Sequence, residues 1–120
     1  MKLLVVDDEL GICDFLRGFF TERGYEVFVA NRGEVALEII WKEKPEMILL
    51  DISMPGMSGI EVLRQVKEIQ PDCKVIMVTA IENDEMISLA MQYGALDYII
   101  KPFSLEYLEK IVVSKSIGSS

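Results

Sequence analysis

The stretch Lys2-Leu3-Leu4-Val5-Val6-Asp7-Asp8 decides the fold, because four aliphatic side chains in succession end abruptly in two carboxylates. A strand with one face in water alternates apolar and polar residues; an unbroken apolar run suits a strand covered on both faces, as in a parallel sheet. Four similar runs follow: Tyr25 to Ala30, Met47 to Leu50, Lys74 to Val78 and Asp97 to Ile100. Helical periods separate them. Ile12, Phe15, Leu16, Phe19 and Phe20 fall at i, i+3, i+4, i+7 and i+8, one apolar stripe closed by Gly24. The second helix is expected to open at Asn31 with Glu34 three residues on, and the third at Ser58 with Glu61, both in capping-box spacing. Pro45 stops the second helix and Pro71 follows the third. A fourth runs from about Asn83 to Tyr93 before Gly94, and Ser104 caps a fifth whose apolar positions include Leu105, Leu108, Ile111 and Val112. Strand and helix thus alternate five times. Right-handed crossovers turn that order into a doubly wound α/β fold, a five-stranded parallel sheet with five helices, whose ligands bind beyond the carboxyl ends of the strands.

The chain has 120 residues, 51% of them hydrophobic and 27% charged, enough for one domain with its own core. Twelve basic residues against twenty acidic ones give a net charge of −8, which repels phosphate backbones and anionic lipid. Direct nucleic-acid binding and membrane association are therefore not expected. No stretch approaches the roughly 20 apolar residues that cross a bilayer, and no leader pattern is present, so a cytoplasmic location is expected. Histidine is absent and Cys13 and Cys73 lack metal-ligand spacing, which excludes histidine-based catalysis and His-ligated metals. The seven methionines read as gap-fillers and Trp41 as partly exposed packing. Residues 1–115 are expected to form the domain, and 116–120 a flexible C-terminal end left by cloning.

The residues just past the strands carry the chemistry: Asp7 and Asp8 after the first, Asp51 after the third, Thr79 after the fourth and Lys101 after the fifth. Singly they read as turn acids, a cap and a solvated lysine. Together they converge on one rim. Carboxylates crowded there repel by about 4 kcal/mol per pair at 4 Å and an effective dielectric of 20, so the cluster calls for a cation. Oxygen donors alone favour Mg²⁺, with Mn²⁺ as substitute. A carboxylate nucleophile beside a divalent ion, a lysine and a hydroxyl fits phosphoryl transfer through an aspartyl phosphate, with Asp51, Lys101 and Thr79 in those roles.

The combination resembles the receiver domain of two-component response regulators over essentially the whole chain. The resemblance rests on Val5-Val6-Asp7-Asp8-Glu9, on Leu49-Leu50-Asp51 followed by Met54-Pro55-Gly56, on Val78-Thr79-Ala80, and on Tyr98 ahead of Lys101-Pro102-Phe103. The separations of 43 residues from Asp8 to Asp51, 28 to Thr79 and 22 to Lys101 resemble the family layout, and no motif position departs from it. The resemblance implies a flavodoxin-like strand order of 2-1-3-4-5 and a cis Lys101-Pro102 bond. It implies that Asp51 accepts a phosphoryl group from a histidine kinase or phosphotransfer protein. Asp8, Asp51 and the Ser53 backbone carbonyl would hold Mg²⁺, with Asp7 acting through a water. Lys101 would pair with Asp51 before phosphorylation and with the phosphoryl group after it. Thr79 and Tyr98 would then move as the switch and reshape the face made by the fourth helix, fifth strand and fifth helix.

Such a chain is a signalling switch, not an enzyme on other substrates; it catalyses only its own phosphotransfer and dephosphorylation. Two further expectations concern that cycle. Ile81, two residues past Thr79, is apolar and cannot orient a water, which points to slow self-dephosphorylation. The start of the first helix, Gly11 to Phe15 with an exposed Cys13, and the loop after Lys101 should receive the kinase. A homodimer stays open, although the fourth helix has no Lys or Arg for a salt-bridged dimer face. An output domain in a longer parent protein and a stand-alone regulator are both allowed. Two rivals are a phosphate-independent interaction module and an aspartyl-phosphate phosphohydrolase like the haloacid-dehalogenase enzymes. The second is disfavoured by Ser53, where those enzymes carry another Asp, and by a length that leaves no room for a substrate cap.

Overall fold

A computed structural model describes residues Met1 to Ile117. The strands are β1 (Lys2–Val6), β2 (Glu26–Ala30), β3 (Met47–Leu50), β4 (Lys74–Thr79) and β5 (Asp97–Ile100). They alternate with α1 (Leu10–Thr21), α2 (Gly33–Glu43), α3 (Gly59–Ile69), α4 (Asp84–Gln92) and α5 (Leu105–Ile117). All pairings are parallel and the sheet order is β2-β1-β3-β4-β5, the expected doubly wound arrangement. Alternate side chains of each strand point to opposite faces, so the unbroken apolar runs feed two cores. Leu4, Val6, Ile48, Leu50, Val75 and Met77 pack with α2 and α3 residues on one side. Leu3, Val5, Met47, Leu49, Ile76 and Val78 pack with α1 and α5 on the other.

The register sets the rim. Val6 lies beside both Ala30 and Leu50, Leu50 beside Met77, and Thr79 beside Ile100. The ladder continues one residue further. The Asp51 N–H donates to the Val6 carbonyl at 3.0 Å and the Lys101 N–H to the Thr79 carbonyl at 2.9 Å. Asp51 and Lys101, just past β3 and β5, are thereby held to the last residues of β1 and β4, while Thr79, expected just past β4, is its last residue.

Several local expectations need correction. In α1 the buried positions are Cys13, Leu16 and Phe20, a narrower stripe than the sequence pattern implied. Phe15 is 59% exposed and Phe19 lies at the border, where the Arg23 guanidinium sits 3.7 Å from its ring centre. The sheet contact selects the 13/16/20 face, and the flanking aromatics border it. Cys13, expected at the surface, is buried and donates through Sγ to the Asp7 carbonyl at 3.2 Å.

Helix α2 starts at Gly33 with Arg32 in the cap position and no side-chain cap, not at Asn31. Its start is set by close packing, because a Cβ on Gly33 would lie 2.9 Å from the Met57 Cβ. The Ser58 cap of α3 and the Asn83 cap of α4 are present, donating partners being the Glu61 and Met86 N–H groups. The Ser104 hydroxyl accepts from the Tyr107 N–H at 3.1 Å, as a cap of α5 should.

Helix α5 itself runs on to Ile117, so residues 116 and 117 are helical and not a tail. Lys74 Nζ donates to the Ser116 carbonyl at 3.1 Å and tethers this last turn to β4. Residues 118–120 of the expected tail lie outside the described part.

Candidate functional site

Asp7, Asp51 and Thr79 are the buried polar residues among those described, at 3%, 4% and 0% exposure. Burial of three polar groups beside one another at a strand edge is costly unless each has a partner. Lys101 supplies it. Its Nζ lies 2.6 Å from Asp7 Oδ2, 3.1 Å from Asp51 Oδ2 and 3.5 Å from Glu9 Oε1. Sequence reasoning paired Lys101 with Asp51 alone; the shorter bond is to Asp7, and Glu9 adds a third, exposed carboxylate. Only the fold brings these together, since Lys101 and Asp7 are 94 residues apart.

Two short loops fix the acids. The Glu9 N–H donates to Asp7 Oδ1 at 2.9 Å, and the Ser53 N–H donates to Asp51 Oδ1 at 3.3 Å. Each carboxylate thus has one oxygen on a backbone donor and the other on Lys101. Asp8 lies exposed at the same edge, and one carboxylate oxygen from each of Asp7, Asp8 and Asp51 lies within 4.8 Å of the others.

The electrostatics follow from burial and crowding. Burial pushes the Asp7 carboxyl above the usual carboxylate range; the Lys101 hydrogen bond and the Glu9 N–H oppose this, and the Asp51 charge adds to it. For Lys101, burial disfavours the ammonium, but hydrogen bonds and charge from Asp7 and Asp51 outweigh that and raise its pKa to about 12. Asp7, Asp8 and Asp51 outnumber the single Lys101 ammonium and Glu9 adds to the excess, leaving negative charge that a divalent cation offsets. The donor set is all oxygen, with no imidazole or thiolate at the edge. These residues fit a small hard cation such as Mg²⁺.

Thr79 and Tyr98, expected to move on phosphorylation, both bond to the Ile81 backbone. The Thr79 hydroxyl is buried at the rim and accepts from the Ile81 N–H at 3.4 Å. The Tyr98 hydroxyl donates to the Ile81 carbonyl at 2.7 Å, and its ring packs on the α2–α3 side core with Ile81 and Met86. Tyr98 is thus turned inward, clamping the segment between β4 and α4. The Lys101-Pro102 bond is cis, as the resemblance implied. Next to Lys101, a groove of about 490 Å³ is lined by Ile12, Phe15, Leu16, Pro102, Phe103 and Leu105.

Comparison with known proteins agrees with this geometry. The family model of the response regulator receiver domain matches residues 3–113. The chain belongs to the receiver family. The receiver is 40% identical over 111 residues to sporulation initiation phosphotransferase F of Bacillus subtilis, covering 92% of this chain and 90% of that one. A two-component response regulator from Clostridium difficile superimposes with a TM-score of 0.91 at 30% identity, covering 95% and 93% of the two chains. The response regulator TrrA of Thermotoga maritima, solved in complex with Mg²⁺ and BeF, gives 0.84 at 35% identity, covering 94% and 96%. The receiver is therefore a phosphorylation-activated signalling domain and not a conventional enzyme. No described helix is long and apolar enough to cross a membrane.

Proposed function

We propose that Asp51 accepts a phosphoryl group from the phosphohistidine of a sensor kinase or phosphotransfer protein. The observation that carries this reading is Lys101 Nζ held between two buried carboxylates, Asp7 and Asp51, at a rim that also carries Asp8 and Thr79. Asp8, Asp51 and the Ser53 carbonyl would hold Mg²⁺, with Asp7 acting through a water. The ion, when bound, offsets the repulsion between the incoming phosphoryl oxygens and the acids. Asp51 Oδ attacks phosphorus and the histidine nitrogen leaves. Lys101 then exchanges its carboxylate partner for a phosphoryl oxygen, and the Thr79 hydroxyl donates to another. Only contacts stronger in the phosphorylated form shift the conformational balance, and Lys101 and Thr79 supply these. The shift is read out on the face of α4, β5 and α5. In this reading the receiver works in the cytoplasm, together with the kinase that supplies the phosphoryl group. Intact mass after incubation with Mg²⁺ and acetyl phosphate should show a gain of one phosphoryl group. No gain by folded protein would favour the phosphate-independent module.

Mg²⁺ binding to the folded rim alone should stabilise the chain by about 2.7 kcal/mol at a hundredfold excess over its Kd. The melting temperature should therefore rise with Mg²⁺, and Asp8→Asn should blunt the rise. A melting temperature independent of Mg²⁺ would remove the ion from this reading.

The apolar groove beside Lys101 is the kinase-docking surface in this reading, with Phe15 as its exposed aromatic. Cys13 has no part in it, being buried. Phe15→Glu should slow phosphotransfer from a kinase at least tenfold while leaving uptake from acetyl phosphate unchanged. Equal slowing with both donors would place Phe15 in the chemistry or the fold.

Ile81 governs lifetime. Its backbone is pinned at both ends, N–H to Thr79 and carbonyl to Tyr98, and its apolar side chain offers no acceptor to an attacking water. Ile81→Glu is expected to shorten the half-life of phosphorylated Asp51 by about a hundredfold, the low end of what a placed acid-base group contributes. An unchanged half-life would show that this position does not control water.

A further inference from the structure

Gly59, the first residue of α3, has no positive φ to explain it and is buried. Its requirement is one of space. A Cβ built there would lie 1.9 Å from the Asp51 carbonyl oxygen, 2.7 Å from the Asp51 carbonyl carbon and 2.8 Å from the Ile52 Cα. All three are backbone atoms, so no side-chain rotation can relieve the overlap. The contact is also bonded, since the Gly59 N–H donates to the Ile52 carbonyl at 2.9 Å. Gly33 makes a matching approach from α2, where a Cβ would meet the Met57 Cβ at 2.9 Å, the Met57 Cγ at 3.1 Å and the Val62 Cγ2 at 3.0 Å. The segment from Asp51 to Ser58 is therefore seated against two helix starts at points where neither helix carries a side chain.

We propose that Gly59, backed by Gly33, positions the phosphoacceptor: the bare first turn of α3 fixes the Asp51–Ile52 peptide, and with it the Asp51 carboxylate and the Ser53 backbone. The proposal rests on the reading of Asp51 as acceptor. The lever arm is short. The Ser53 N–H holds Asp51 Oδ1, so a displacement of the peptide between them moves the carboxylate and the Ser53 carbonyl together. Gly59 touches no phosphoryl oxygen and no ion; it acts through the backbone it supports. A shift of order 1 Å at such a distance from the reacting atoms costs about a hundredfold in rate, and loss of a supporting contact costs about 10- to 100-fold in metal affinity.

The test compares Gly59→Ala, Gly18→Ala and Leu108→Ala with wild type in the full chain. Gly18 has open space around its missing Cβ, and Leu108 is buried under α5 on the opposite face of the sheet. The readouts are the urea midpoint, the Mg²⁺ dissociation constant from an NMR titration with Mg²⁺ alone, and the rate of phosphoryl uptake from acetyl phosphate. Gly59→Ala is expected to weaken Mg²⁺ about tenfold and slow uptake about a hundredfold. Leu108→Ala should lower the urea midpoint and leave Mg²⁺ affinity unchanged, which separates positioning from loss of stability. Wild-type Mg²⁺ affinity and uptake in Gly59→Ala would overturn the proposal and leave Asp51 as acceptor. Absence of uptake by wild type itself would overturn the acceptor reading and the proposal with it. Should Gly59→Ala not fold, Gly33→Ala decides: weakened Mg²⁺ binding supports the proposal, and wild-type binding overturns it.

Discussion

Asp51→Ala is expected to gain no phosphoryl mass from acetyl phosphate and Mg²⁺ under conditions that load the wild type. The nucleophile is gone, and Asp7, the nearest buried alternative, already has Oδ2 on Lys101 at 2.6 Å and Oδ1 on the Glu9 N–H. No other buried carboxylate exists among the described residues to substitute. The same variant should not be destabilised when a chelator removes divalent ions. Lys101 keeps Asp7, and the Asp51 charge that pushes the Asp7 carboxyl upward is removed. Its urea midpoint in chelator is therefore expected at or above that of wild type. A variant that still gains one phosphoryl group would move the acceptor elsewhere, and a clear fall in midpoint would make Asp51 a structural acid first.

Lys101→Met should have the largest effect on stability. It leaves two buried carboxylates facing each other without their shared ammonium, a change of the kind that costs about 3–5 kcal/mol. The urea midpoint in chelator should fall accordingly. Mg²⁺ should recover part of the loss, because the ion supplies the positive charge that the side chain no longer does.

The pH dependence carries a matching signature. The pKa of Lys101 is raised in the fold to about 12, from an ordinary 10.5. A cationic group with a raised folded value contributes stability that is complete below the ordinary value and lost as pH climbs through the folded one. The wild-type advantage over Lys101→Met should therefore hold from neutral pH up to about pH 10 and shrink toward pH 12. An advantage that does not change across that window would mean the ammonium is not what holds the acids together.

Much of this was legible in the chain itself. The apolar runs identified a buried parallel sheet because covered strands need no polar alternation, and the residues just past them identified the rim. What could not be read was the pairing across the rim. Lys101 bonds Asp7 more closely than Asp51, a preference set by where the strand ends meet in the fold, and residue types carry no such information. The start of α2 misled for a related reason: Asn31 and Glu34 have the spacing of a cap, but tertiary packing of Gly33 on Met57 places the first turn. The stripe of α1 was read too wide, since five apolar positions fit the period and the sheet buries only one side of it. Gly59 gave no signal of its own. Its neighbour Ser58 announced the helix start, and only the approach to the Asp51 carbonyl shows why the next residue lacks a side chain.

The sheet divides the interior into two cores that share a backbone, one under α2 and α3 and the other under α1 and α5. A domain built this way can accumulate changes on one side without matching changes on the other. Positions beneath α5, near the face proposed to address an output, belong to the other core from those that seat the Asp51 loop under α3. On the proposed function, the acceptor chemistry can therefore stay fixed while the output side drifts toward new partners, and a sequence lineage can rewire what the signal reaches without relearning how to receive it.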